Sequence, residues 1–91
     1  MIRVIRLTSG EQVICELTTG DDTNYIVKYG FVIVPSGDDN KQISFFPLAP
    51  YSAQHGALEM RKDCVSFISE PESGIVDSYN NIISKHYSLV Q

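Results

Sequence analysis

The segment from Val4 to Leu17, VIRLTSGEQVICEL, alternates large apolar with polar residues, stops at Ser9-Gly10, and then resumes the alternation. A period of two places successive side chains on opposite faces of an extended strand. Glycine at the break supplies the positive φ that a tight turn requires. The segment therefore predicts a β-hairpin with strands over Ile2 to Thr8 and Gln12 to Thr18, with Val13, Cys15 and Leu17 on one face and Ile14 and Glu16 on the other. An isolated hairpin is marginal in water, so a chain that opens this way must find further strands to cover its apolar side.

The following residues supply them. Gly20-Asp21-Asp22 signals a second turn, leading into a long run from Asn24 to Val34 in which Tyr25, Val27, Tyr29, Phe31 and Ile33 are expected on one face. Gly30 interrupts that run and predicts a bulge or sharp bend. The stretch PSGDDNK, Pro35 to Lys41, is a loop signal. Gln42 to Leu48 reads as a fourth strand whose Phe45 and Phe46 face opposite ways, with Pro47 and Pro50 placing part of it at an edge or bend because proline cannot donate to a ladder. The extended pattern resumes over Ala57 to Met60, turns at Arg61 to Asp63, and ends in a last strand, Cys64 to Ile68.

Beyond this point the period changes. Ile75, Tyr79, Ile82, His86 and Leu89 recur at steps of three and four, which lines one face of an amphipathic helix. Ser69 is a candidate cap, Glu72 completes a capping box, and Pro71 suits a first turn. The expected architecture is a mainly β single domain: a small, five-stranded, strongly bent antiparallel barrel over residues 1–69. An amphipathic helix over 70–91 packs on it, with Ile75, Tyr79 and Ile82 over one open end.

A chain of 91 residues has a thin core, and self-association is a natural further source of stability. An open barrel also leaves two edges with unpaired backbone groups. If the last strand of one copy adds to the fourth strand of the next, the contact is head-to-tail and closes into a ring when the rotation permits. The formal net charge of -4 argues against a broad basic face for coating nucleic acid. It leaves room for small basic sites at Arg61-Lys62 and at Arg3 and Arg6. Cys15 and Cys64 both lie in apolar stretches and read as buried free thiols, with a cross-sheet disulfide as the alternative. No apolar run reaches the ~20 residues of a membrane span and no secretory start is recognisable, so no membrane partner and a cytoplasmic location are expected.

With these residues in view, the chain resembles the Sm-like (LSm) family of small RNA-associated barrels. The resemblance covers about three quarters of the chain, Ile2 to Ile68. Its first motif is matched by Leu7-Thr8-Ser9-Gly10, Val13, Leu17, Asp21 and Asn24, and its second is approximated by Arg61-Lys62-Asp63-Cys64-Val65. The departures are Cys15 and Lys62 where the family has glycine, an Asp21 to Asn24 spacing one residue short, and a helix that follows the barrel instead of preceding it. The overall cast, including Tyr79-Asn80, is similar to members encoded by tailed phages of marine bacteria, including the cyanophage type.

The resemblance implies an SH3-like barrel in a homo-oligomeric ring of about five to seven subunits, with single-stranded RNA, or DNA, bound at the centre and a role in nucleic-acid processing. By position, Asn24 reads a base edge, Arg61 supplies charge and a flat face, and Lys62 adds charge toward phosphate. Tyr25 is the candidate stacking residue, because Asp22 falls near the place where a planar group is expected and its carboxylate repels phosphate. Each residue also has a simpler reading: Asn24 as a turn residue serving local backbone, Tyr25 as part of the core, and Arg61 as a partner of Asp63 or Glu59.

Catalysis is not expected. The histidines are His55, in a loop, and His86, on the helical stripe, and no nucleophile, base and orienting group assemble around either. No glycine-rich phosphate cradle or metal-ligand spacing is present, so neither cofactor nor metal is expected. The rival reading is a structural or protein-interaction module, for example in phage assembly, presenting the aromatic region of Phe45-Phe46-Pro47 and Tyr51 to a protein partner.

Overall fold

The computed structural model describes residues 1–36, 42–51 and 57–87. Six strands precede one helix: β1 (Ile2–Leu7), β2 (Gln12–Thr19), β3 (Asn24–Ser36), β4 (Gln42–Pro47), β5 (Leu58–Arg61) and β6 (Val65–Ser69), then α1 (Ser73–Tyr87). A single 3-10 turn, Lys62–Cys64, joins β5 to β6. All ladders are antiparallel in the order β4-β3-β2-β1-β6, and β5 pairs with the first part of β3. Among the described residues no ladder joins β6 back to β4 or β5, so the bent sheet remains open.

The opening hairpin forms as its alternation predicts, with Ile2 opposite Glu16 through Arg6 opposite Gln12. Its turn is closed by the Gly10 N–H donating to the Leu7 carbonyl at 2.9 Å, with Gly10 at φ 107°. The predicted loop at Pro35 begins later than expected, since Pro35 and Ser36 still pair with Ile43 and Gln42 on β4. Residues 37–41 of that loop, His55 and Leu89 lie outside the described residues.

The predicted bend at Gly30 is a bulge with a larger consequence. Ile14 pairs with Phe31 but Glu16 pairs with Lys28, so Cys15 opposes both Tyr29 and Gly30. Such an insertion shifts the inward and outward alternation by one. The expectation that Tyr25, Val27, Tyr29, Phe31 and Ile33 share a face therefore fails. Tyr25 and Val27 pack with Ile5, Val13 and Cys15, whereas Tyr29, Phe31 and Ile33 pack with Val4, Ile14 and the helix. A side chain at Gly30 would be tight: a Cβ would stand 3.1 Å from Leu48 Cδ2 and 3.3 Å from Val27 Cγ1, so both would have to give way slightly.

Two apolar clusters result, one on each side of the sheet. The inner one, built on Ile5, Val13, Cys15 and Val27, is enclosed by Leu48, by Leu58 and Met60 of β5 and by Val65 of β6. The second joins Val4, Ile14 and Phe31 to Tyr79 of α1, with Ile75, Ile82 and Ile83 beside it. The helix thus covers the outer face of the sheet, rather than an open end of the barrel as its stripe alone suggested. The bulge is what makes that face apolar enough to hold it. Each large side chain fully buried there contributes about 1.5–3 kcal/mol.

Tyr79 is the anchor. It is fully buried, its ring meets Phe31 edge-to-face at 6.1 Å, and its hydroxyl donates to the Tyr29 carbonyl at 2.7 Å. Tyr29 is the one described non-glycine residue with positive φ, at 52°, a conformation that costs of order 1 kcal/mol and survives only where neighbours over-determine it. The helix begins at Ser73 and not at Ser69, because Ser69 is used by β6 opposite Val4. The N–H groups of Ile75 and Val76 both donate to the Glu72 carbonyl at 3.1 Å.

The cysteines differ from expectation in one respect. Both are free, but only Cys15 is buried, whereas Cys64 is exposed. Burial pushes the Cys15 thiol up to about 12, which keeps it protonated and unreactive at neutral pH. No described helix is long and apolar enough to cross a membrane.

Candidate functional site

The turn between β2 and β3 is built around one carboxylate. Asp21 Oδ1 accepts from the N–H groups of Thr23 and Asn24 at 2.9 and 2.8 Å and from the Thr23 hydroxyl at 3.1 Å. The Asn24 carbonyl in turn accepts from the N–H groups of Gly20 and Asp21, each at 3.1 Å. A Cβ at Gly20 would come within 2.9 Å of that carbonyl, so the turn closes only around glycine. These bonds, from the Thr23 N–H first and the Asn24 N–H next, hold the Asp21 carboxyl below the ordinary aspartate range.

This gives a stability prediction with a definite sign. A carboxyl whose folded pKa is depressed stabilises the fold fully above its unfolded pKa, about 3.9, and loses that contribution as the pH falls through the folded value. Asp21→Ala is therefore expected to lower the denaturant midpoint at neutral pH, with the difference from wild type closing in acid. A gap that stays constant down to the acid transition would show that the Asp21 charge has no part in it.

The same turn carries the sequence-predicted site. Asn24 is the first residue of β3 and pairs with Arg61, the last residue of β5, while Tyr25 pairs with Met60. The Lys62 N–H donates to the Thr23 carbonyl at 2.8 Å, fastening the start of the 3-10 turn to the β2–β3 turn. Lys62 Nζ lies 5.2 Å from the centroid of the Tyr25 ring, within cation–π range. Asn24, Tyr25, Arg61 and Lys62 thus come together at the junction of the two turns, but Tyr25 alternates to the inner face, away from Asn24 and Arg61, and only Lys62 reaches it.

Tyr25 serves two roles at once. Its ring packs against the inner cluster and carries Lys62 over it. Arg61 reaches Asp63 Oδ2 at 2.9 Å, with both side chains mostly exposed, an ion pair worth little in water and readily exchanged for another anion. Between Asp22, Thr23, Arg61, Lys62 and Asp63 lies an open groove of about 230 Å³. Two carboxylates, Asp22 and Asp63, and two cations, Arg61 and Lys62, line it. Thr23 and Asp21 join the turn as residues that sequence reading misses, although the Asp-x-Thr-Asn pattern is that of an Asx turn.

Among the described residues no three histidine, cysteine, aspartate or glutamate side chains gather as a metal site. The groove offers hydrogen-bond donors and a planar cation, with the Tyr25 ring on the inner face reached only by Lys62. Compared with known proteins, the chain matches no family model and no curated protein.

Proposed function

We propose that this is an Sm-like, ring-forming protein that binds single-stranded RNA, or DNA, at a central site made by Asn24, Tyr25, Arg61 and Lys62. The observation that carries the reading is the convergence of the two turns, with Asn24 opposite Arg61 and Lys62 over Tyr25. A base edge suits the amide of Asn24, and a base plane or phosphate suits Arg61 once it leaves the exposed Asp63. Ring assembly draws support from the two open edges. Ile68 on β6 lies opposite Ile5 and Phe46 on β4 lies opposite Val32, so both face the inner side of the sheet, 41% and 54% exposed. Pairing of β6 with a neighbour's β4 would satisfy both edges and bury both residues. Repetition around a ring also explains how an acidic chain holds a polyanion through weak contacts.

The test is binding of short labelled RNA and DNA strands of the same sequence, read by anisotropy together with mass in solution. Arg61→Ala combined with Lys62→Ala is expected to weaken binding at least about tenfold and to flatten its salt dependence, with the oligomer mass unchanged. Equal affinity of variant and wild type would remove the site. Absence of binding at low salt would instead favour a protein-interaction module, for example in phage assembly. That second reading rests on the carboxylates Asp22 and Asp63, which offset both cations of the groove, and on exposed Phe46, Tyr51 and Phe67.

A further inference from the structure

A second cavity, of about 320 Å³, opens at the end of the inner face between Met1, Arg3, Leu17, Thr19, Tyr25 and Ile68. Arg3 faces it because its strand partner is Cys15, an inner-face residue. The Arg3 side chain is only 23% exposed, yet its described acceptors are few. Nη1 donates to the Ile2 carbonyl at 2.9 Å, and Nη2 lies 3.4 Å from the Met1 sulfur, a weak acceptor. The nearest described carboxylate, Glu70, stands at 4.0 Å, beyond hydrogen-bond reach, and is 82% exposed. Of the five N–H donors of a guanidinium, most remain to be used.

Arg3 is largely shielded, and its one described ion pair, with Glu70, is long and solvent-exposed on the carboxylate side, so it is easily exchanged for another anion; guanidinium is the side chain best matched to a phosphate by paired donors. Around it, Leu17 and Ile68 give apolar walls, Tyr25 gives a flat ring, and Thr18 and Thr19 complete the lining. The volume lies at the small end of ligand pockets, enough to seat one nucleotide. We propose that this pocket binds a nucleoside monophosphate, with the phosphate on Arg3 in place of Glu70 and the base against Tyr25. The site shares Tyr25 with the turn-borne site and Ile68 with the proposed subunit seam, but it needs neither Arg61 nor Lys62.

The probes are uridine monophosphate, uridine and inorganic phosphate, titrated into the full chain while backbone amide shifts are followed. Uridine monophosphate is expected to shift Arg3, Leu17, Thr19 and Ile68, with uridine and phosphate each binding at least tenfold more weakly. Arg3→Met should lose at least tenfold in affinity, Arg3→Lys several-fold, and Glu70→Gln should bind several-fold more tightly because a competing carboxylate is gone. Arg61→Ala should bind the mononucleotide as wild type does, whatever it does to oligonucleotides. No amide shifts around Arg3 with the wild type, or no gain in Glu70→Gln, would overturn the proposal even if Arg3→Met failed to fold. A loss in Arg61→Ala equal to that in Arg3→Met would assign the nucleotide to the groove instead.

Discussion

Replacing Tyr79 with alanine is expected to cost about 3–5 kcal/mol, the range for emptying a buried aromatic site. At roughly 4–8 °C per kcal/mol for a domain near this size, the thermal midpoint should fall by about 12 °C or more. Three losses combine: the ring leaves the cluster of Val4, Ile14 and Phe31, the edge-to-face contact with Phe31 disappears, and the Tyr29 carbonyl loses its donor at the bulge. Tyr79→Phe separates them, because it removes only the hydroxyl and should cost about 1–2 kcal/mol. Chemical denaturation of both variants checks the ordering. If Tyr79→Ala cost less than about 1 kcal/mol, the helix could not be docked on the sheet in solution.

A chain ending at Glu70 should suffer more. It removes α1 altogether and uncovers Val4, Ile14 and Phe31 with their neighbours Tyr29, Ile33 and Phe45, an apolar face produced by the bulge. Contiguous exposed patches of this kind drive association, so the shortened chain is expected to unfold at room temperature or to elute as aggregates that bind a hydrophobic dye. A shortened chain with the thermal midpoint of the full one would mean that the helix contributes nothing to the fold. The contrast with Tyr79→Ala is informative, since the point variant keeps Ile75, Ile82 and Ile83 available to cover part of the face.

The candidate site was legible to the extent that its residues sit in turns. Asn24 beside an Asp-rich turn and Arg61-Lys62 between two extended segments are local patterns, and the geometry joins them through the pairing of β3 with β5 and the Lys62 to Thr23 bond. The Arg3 pocket was legible only as a possible small basic site at Arg3 and Arg6. The register with Cys15 separates the two, turning Arg3 to the inner face. Cys64 failed in the opposite direction. Its apolar neighbours Val65, Phe67 and Ile68 suggested burial, but it ends the 3-10 turn just ahead of β6 and stays exposed.

Local chemistry by itself determined the hairpin, the turn glycines, the bend at Gly30, the position of the strands to within a residue or two and the existence of the helix. Those features depend on periodicity and on backbone freedom, which neighbouring residues encode. The tertiary structure alone decided which way the residues after Gly30 face, where the helix lies and which side chains share a site. A bulge reverses the alternation without altering the pattern of apolar residues, so a run that reads as one stripe is divided between two clusters. The seat of the helix then follows from the face so created, and from Tyr29, whose carbonyl Tyr79 completes.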